Sequence, residues 1–218
     1  NSGIDTLVIA NGVTYTLGAN VENAEVAPAW AFPGTYAYAN VSGNQLDNIL
    51  RGGNGYLNYY GSDTLSGAGG NDRLVGNGGS DVLNGGTGND TMIGGEGDDT
   101  FHVDAAGDRV IENYALDSKD LVISTINYTL GAELENLKLD GVANINGTGN
   151  AADNRIIGNS GNNVMNGGLG TDTLSYETAV SAVTVALNVA TAQATGGGGS
   201  DTVSGFENLV GGSAADKL

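Results

Sequence analysis

The chain has 218 residues with 25 acidic against 7 basic side chains, and its formal charge of −18 at pH 7 argues against nucleic acid and anionic membranes as partners. No cysteine is present, which excludes disulfides. No run approaches the roughly 18 consecutive apolar residues of a membrane-spanning helix, so no membrane insertion is expected, and no basic-then-apolar leader opens the chain.

Residues 1–42 read as a degenerate β spacer, in which Val13, Tyr15 and Leu17 alternate with polar neighbours at the strand period. The phrase Tyr15-Thr-Leu-Gly-Ala19 followed by Glu22-Asn23 returns as Tyr128-Thr-Leu-Gly-Ala132 followed by Glu135-Asn136. A remnant stands at Glu207-Asn208-Leu209, so a long repeat of equivalent structural units surrounds everything else. Alignment of its two copies leaves about seven extra residues in the first, within Ala24 to Asn40. This insertion holds Trp30, Pro28, Pro33, Phe32, Tyr36 and Tyr38. Such a loop either covers a sheet edge or apolar end, or offers stacked aromatics to a glycan or a neighbouring copy.

Residues 43–112 form the main repeat block. GNQLDNILR at 43–51 opens it. Near 52–60 the frame slips: GGNGYLNYY begins as a nonapeptide, yet GSDTLS fits only when counted three residues early, which predicts a bulge or shortened coil around Tyr56, Tyr59 and Tyr60. From residue 67 the frame is regular, running GAGGNDRLV, GNGGSDVLN, GGTGNDTMI and GGEGDDTFH. Slots one (Gly67, Gly76, Gly85, Gly94) and four (Gly70, Gly79, Gly88, Gly97) are always glycine, as expected where side chains would obstruct the backbone. Slot eight is always large and apolar (Leu74, Leu83, Met92, Phe101), so each six-residue turn feeds a short strand with one inward side chain.

A strand this short must stack. Two nonapeptides make one coil, and alternate copies build two parallel sheets, one lined by Leu65, Leu83 and Phe101, the other by Leu74, Met92 and Val110. The expected fold is all-β, a parallel β-roll or β-solenoid. Slot six then stacks Asp72, Asp81, Asp90 and Asp99, with Asp63 and Asp108 extending the frame, into two rows of carboxylates spaced about 4.8 Å apart. Left bare, these rows repel. Carboxylates combined with carbonyls of the turns at Gly70, Gly79, Gly88 and Gly97 make a flexible all-oxygen cage that suits several Ca2+ ions rather than zinc. The expected pairings are Asp63 with Asp81, Asp72 with Asp90, Asp81 with Asp99, and Asp90 with Asp108. Asp108 lacks the double glycine, which leaves its site incomplete; Asp104 nearby either supplies a ligand or is solvated.

The remaining elements follow the same plan. Residues 113–148 are a second spacer, with Ile126, Tyr128 and Leu130 in alternation. GNAADNRII opens a weaker block at 149–176, where slot six carries Asn154 and Asn163 before Asp172. Amides lack the charge of a hard-cation site, so these asparagines are expected to hydrogen-bond along the stack, leaving Asp172 as the metal candidate. Residues 177–218 are a third spacer, and Val183, Val185, Leu187 and Val189 predict a further strand continuing the roll. The chain opens within a repeat-like phrase, SGIDTLVIA, and stops at GSAADKL, parallel to the start of GNAADNRII, so it reads as a segment of something longer.

GGTGNDTMI and GGEGDDTFH resemble the Gly-Gly-x-Gly-x-Asp-x-(large apolar)-x nonapeptide of the RTX, or repeats-in-toxin, family. The resemblance is close over residues 58–111 and carries departures at 43–51 and 149–175. It implies a right-handed parallel β-roll, calcium in the turns, and export by type I secretion to an extracellular or cell-surface location.

An enzyme is not expected. The sole histidine, His102, occupies slot nine just after inward Phe101, and neither His-Glu-x-x-His nor Gly-x-Ser-x-Gly occurs. Paired carboxylates of glycosidase type are more economically read as the calcium rows. Two classes of function remain: a calcium-dependent structural segment of an adhesin or surface-layer-like protein, or the non-catalytic RTX module of a secreted hydrolase or polysaccharide-modifying enzyme. The two long repeats favour the first.

Overall fold

The computed structural model of the chain describes residues 3–10, 12–27, 38–53, 61–113 and 119–218. Trp30, Pro28, Pro33, Phe32 and Tyr36 of the insertion, and Tyr56, Tyr59 and Tyr60 of the frame slip, lie outside the described residues. Two compact units divide the chain, Asn1–Asp120 and Leu121–Leu218. Among the described residues every regular element is a strand, and no helix is long and apolar enough to cross a membrane.

In the first unit successive strands alternate between two sheets. One contains β1 (Thr6–Ile9), β3 (Asn23–Val26), β5 (Ile49–Arg51), β7 (Arg73–Gly78), β9 (Thr91–Glu96) and β11 (Arg109–Ile111), in that order. The other contains β2 (Val13–Thr16), β4 (Ala39–Ser42), β6 (Thr64–Ser66), β8 (Val82–Asn84) and β10 (Thr100–Val103). Neighbours pair in parallel, so the chain winds from one sheet to the other and back with each coil. This is the parallel β-roll that the nonapeptide frame predicts.

The apolar slot explains the register. Leu65 pairs with Leu83 and Leu83 with Phe101, while Leu74 pairs with Met92 and Met92 with Val110. All of these except half-buried Val110 are fully removed from solvent. Each such side chain contributes about 1.5–3 kcal/mol through burial, which a three-residue strand gains only by stacking. Within the regular block residues 18 apart pair, but the step from Asn48 to Asp72 spans 24. The coil that contains the frame slip is therefore longer than a regular one, which overturns the shortened coil of the two forms expected, and the apolar register holds on either side of it.

The second unit repeats the plan with β12 (Leu121–Ser124), β14 (Asn136–Leu139), β16 (Arg155–Ile157), β18 (Thr173–Ser175) and β21 (Asn208–Val210) in one sheet. The facing sheet has β13 (Tyr128–Thr129), β15 (Gly147–Thr148), β17 (Val164–Asn166) and β20 (Gly199–Ser204), with β19 (Gln193–Gly196) at its edge. The long repeat is visible in hydrogen bonds. The Asn44 amide donates to the carbonyls of Gly18 (2.8 Å) and Val21 (2.8 Å), and Asn150 donates to Gly131 (2.6 Å) and Leu134 (2.8 Å) in the same way.

The third spacer departs from expectation. Val183 and Val185 are buried, yet they make only isolated bridges to Gly196 and by way of Thr184 to Lys217, and Val189 is exposed. A turn closed by the Val189 N–H on the Ala186 carbonyl (3.2 Å) ends the alternation, and the Gln193 side chain bonds both the N–H and the carbonyl of Ala186. Beyond it, left-handed Gly196 and Gly199 reverse the chain, so β19 and β20 pair antiparallel instead of continuing the roll.

Candidate metal centre in the turns

Slot six stands where a turn enters a strand, next to a backbone N–H of the preceding coil that the ladder leaves without an acceptor. The carboxylate supplies one. The N–H groups of Asp63, Asp72 and Asp81 donate to Oδ1 of Asp81, Asp90 and Asp99, each at 2.7 Å, and that of Asp90 donates to Asp108 Oδ1 at 3.0 Å. The structure thus brings together all four pairs expected from the spacing. In the second unit Asn154 donates its N–H to Asp172 Oδ1 at 2.7 Å. The asparagines bind along the stack as expected, with side-chain amides donating to the carbonyls of Leu134 (3.0 Å, from Asn154) and Ile145 (2.7 Å, from Asn163).

The second carboxylate oxygen is the informative atom. Oδ2 of Asp72, Asp81, Asp90 and Asp172 is buried with no hydrogen-bond partner, an expensive state for an acceptor that bears charge. It packs against the slot-one glycine of its own turn: a Cβ added at Gly67, Gly76, Gly85 or Gly167 would collide with that oxygen. The same Cβ at Gly67 would lie 2.5 Å from the carbonyl oxygen of Gly85, and at Gly76 would lie 2.8 Å from that of Gly94. Carboxylate and carbonyl oxygens from successive coils therefore converge over slot one, and the glycine there is required by space. Slot four is glycine for a different reason. Gly70, Gly79, Gly88 and Gly97 have φ of 109°, 121°, 141° and 120°, and a Cβ on any of the four would strike a backbone carbonyl of the coil beneath.

Buried oxygens without counter-charge resist ionisation. Burial, opposed by the hydrogen bond from the Asp63 N–H and reinforced by the charges of Asp99 and Asp63, pushes Asp81 up to about 8. Burial raises Asp63 and Asp72 to about 6 against the backbone hydrogen bonds they accept. Asp90 and Asp172 are raised by burial first, with neighbouring carboxylates adding to it. A hard cation removes this conflict. The donor set is entirely oxygen, the unpartnered atoms are aligned, and the space over each slot-one glycine is kept clear, so these residues fit calcium.

The ends of the rows are finished differently. Asp63 uses both oxygens, accepting from Ala39 N–H (2.5 Å) and Gly53 N–H (2.7 Å). Asp108 is half-buried and its Oδ2 accepts from the N–H groups of Asp104 (3.1 Å) and Ala105 (3.0 Å), while the Asp104 side chain is exposed. His102 is half-buried in β10, opposite Asn84.

Several carboxylates at equivalent positions escaped the sequence reading. Asp120 accepts the Asp99 N–H (2.7 Å), Asp201 that of Asn163 (2.8 Å), and Glu207 that of Asp172 (2.8 Å), across 21, 38 and 35 residues. Their coils differ in length, so no fixed period finds them. Asp201 Oδ2 also accepts the hydroxyls of Tyr176 (2.7 Å) and Thr195 (3.0 Å).

Among known families, the model of the RTX calcium-binding nonapeptide repeat (4 copies) matches residues 59–92, 75–110 and 147–176. No curated protein and no solved structure matches the chain.

Proposed function

Because residues 59–110 and 147–176 of this chain are RTX calcium-binding nonapeptide repeats, we propose that it is a calcium-folded structural segment of a secreted or cell-surface protein of adhesin or surface-layer type. The repeats themselves are a structural calcium-binding module, and such repeats typically belong to proteins exported by type I secretion. The observation that carries the reading is the buried Oδ2 without a partner in Asp72, Asp81, Asp90 and Asp172. We assign these four as ligands, with Asp63, Asp99 and Asp108 in the same rows and turn carbonyls around Gly70, Gly79, Gly88 and Gly97 completing the shell. The blocks at 43–112 and 149–176 then hold metal, and the spacers add coils within each unit.

Calcium acts on this reading as a compartment switch. An extracellular-type site has a dissociation constant on the order of 10⁻⁴ to 10⁻³ M, so cytosolic calcium leaves the rows empty and self-repelling, in a state suited to export. Outside the cell, ions that join adjacent coils link binding to folding, and the transition is cooperative. The recurrence of the long unit supports a spacing role over an accessory one, and a catalytic domain joined directly to this segment in its parent protein would overturn that assignment.

The test is a calcium titration of the chelator-treated chain followed by far-ultraviolet circular dichroism, with magnesium as control. Calcium alone is expected to drive a cooperative coil-to-β transition, and a chain already folded in chelator would sink the switch. Asp81→Ala together with Asp90→Ala is expected to move the midpoint to at least about tenfold higher calcium, since even outer-shell losses cost metal sites 10–100-fold. An unaltered midpoint removes these residues from the sites.

A further inference from the structure

We infer that the calcium site of Asp172 is built from two distant stretches of chain, with the Gly205 carbonyl and the Glu207 carboxylate as its other ligands, so that the ion staples the third spacer to the second repeat block. The inference rests on the calcium reading above. It extends that reading to residues outside the nonapeptide pattern and beyond the family match, which stops at residue 176.

An oxygen that nothing in the chain satisfies defines the site. Asp172 is fully buried; its Oδ1 accepts the Asn154 N–H at 2.7 Å, and its Oδ2 has no hydrogen-bond partner. That oxygen faces the space over Gly167, where a Cβ would lie 2.5 Å from it and 1.9 Å from the Gly205 carbonyl oxygen. Both atoms are acceptors, so neither can donate to the other, and a cation between them resolves the conflict. The space over Gly67 is lined in the same way, by Asp72 Oδ2 and the Gly85 carbonyl. There the carbonyl comes from the next regular coil, whereas here it arrives from beyond the antiparallel hairpin of β19 and β20. Gly205 reaches this place in the left-handed region, at φ 67°, and a Cβ on it would lie 2.7 Å from Asn166 Oδ1.

Glu207 is the counterpart of Asp90. The Asp72 N–H donates to Asp90 Oδ1 at 2.7 Å, and the Asp172 N–H donates to Glu207 Oε2 at 2.8 Å from a residue 35 positions away. The clamp also closes in the other direction, since the N–H groups of Glu207 (3.1 Å) and Asn208 (2.9 Å) donate to the Asp172 carbonyl. A longer side chain thereby carries a carboxylate to the place that slot six gives to an aspartate. Glu207 is exposed, so water completes the flexible, multidentate oxygen shell that calcium takes. The pairing of β18 with β21 begins at Thr173 and Asn208, directly after these residues. An ion over Gly167 therefore joins the two ends of the excursion that holds the hairpin and sets the register of β21.

Calcium-saturated crystals of the full chain, measured for anomalous scattering, test the assignment directly. An ion peak over Gly167, in contact with Asp172, Gly205 and Glu207, is expected in addition to peaks along the rows of the first unit. Peaks in those rows with none over Gly167, or a peak there that Gly205 and Glu207 do not touch, overturn this inference alone; no peaks anywhere overturn the calcium reading beneath it. In solution, Glu207→Gln keeps an acceptor for the Asp172 N–H and removes only the charge. By calorimetry it is expected to weaken one calcium-binding step by at least about tenfold. Exchange of the Asn208 amide at calcium above the dissociation constant is expected to accelerate by the same factor. Unchanged affinity and exchange would leave Glu207 a hydrogen-bond acceptor alone and refute its place in the site. The crystal of the unaltered chain decides even where the variant does not fold.

Discussion

Asp81 in the first unit and Asp201 in the second occupy matching places in their stacks. Each is fully buried, and each accepts on Oδ1 the backbone N–H of the coil beneath, from Asp63 at 2.7 Å and from Asn163 at 2.8 Å. They differ at the other oxygen. Asp81 Oδ2 has no partner, while Asp201 Oδ2 accepts from the Tyr176 and Thr195 hydroxyls. One position in the same roll can therefore be completed either by a cation or by the chain's own donors. Tyr176 follows directly from β18, and Thr195 arrives on β19, so the hairpin that interrupts the parallel order is also what supplies the second hydroxyl. Burial and the Asp201 charge hold the Tyr176 phenol far above its ordinary value, which keeps it a donor throughout the working pH range.

Chelation puts the comparison under the greatest stress. Amide exchange at Asp63, Asp72 and Asn154, whose N–H groups bond to carboxylates with an unpartnered oxygen, is expected to accelerate about a thousandfold when calcium is withdrawn from a concentration a thousand times the dissociation constant. The Asn163 amide, bonded to Asp201, is expected to lose its protection last, at the lowest calcium concentration. Equal loss at all four would break the distinction.

Proton competition gives a smaller effect with a definite sign. Asp63 and Asp72 are raised to about 6 and Asp81 to about 8, so the metal-free fold binds protons that the unfolded chain, near 4, has released. Its stability is full below the unfolded value and is lost as pH rises through 6 and then 8. Calcium needs the ionised form, so its affinity moves the opposite way, rising by about tenfold per pH unit for each proton released between these values. Titrations at several pH values check both slopes. A calcium affinity flat from pH 6 to 8 would mean that the rows are already ionised without metal.

The smallest change sharpens the other half of the comparison. Tyr176→Phe removes one of the two hydroxyls on Asp201 and is expected to destabilise the second unit by about 1.5–3 kcal/mol, the range for a hydrogen bond to a charged group. Denaturant unfolding at saturating and at low calcium should show the same loss. A loss that appears only without calcium would show metal taking over from the phenol.

The roll itself was legible because its cause is local. Leu65, Leu83 and Phe101 align once two nonapeptides make a coil, and the invariant glycines of slots one and four mark the two points at which coils touch. Legibility ends where coil length varies. Asp120 and Asp201 stand at the right places in three dimensions but 21 and 38 residues from the amides they receive, and a period cannot reach them. The third spacer misled for a related reason: the alternation of Val183 to Val189 carries the strand period, while Gly196 and Gly199 further on decide the direction of the chain. Left-handed geometry was also underestimated. Ala68 and Asn77 adopt φ of 74° and 78° in slot two, where neighbouring copies have glycine, so composition alone did not mark the slot as strained.

Parallel winding has a mechanical consequence. Each coil of the regular block adds only about 4.8 Å to the stack, yet stores 18 residues that would span roughly 60 Å when drawn out. Because a coil bonds only to the coils on either side, tension at one end of a unit peels turns away singly and leaves the rest of the stack intact. A segment of this build yields in steps under load, paying out tether many times its resting length before its last coil is lost, and rewinds as each carboxylate regains the amide beneath it.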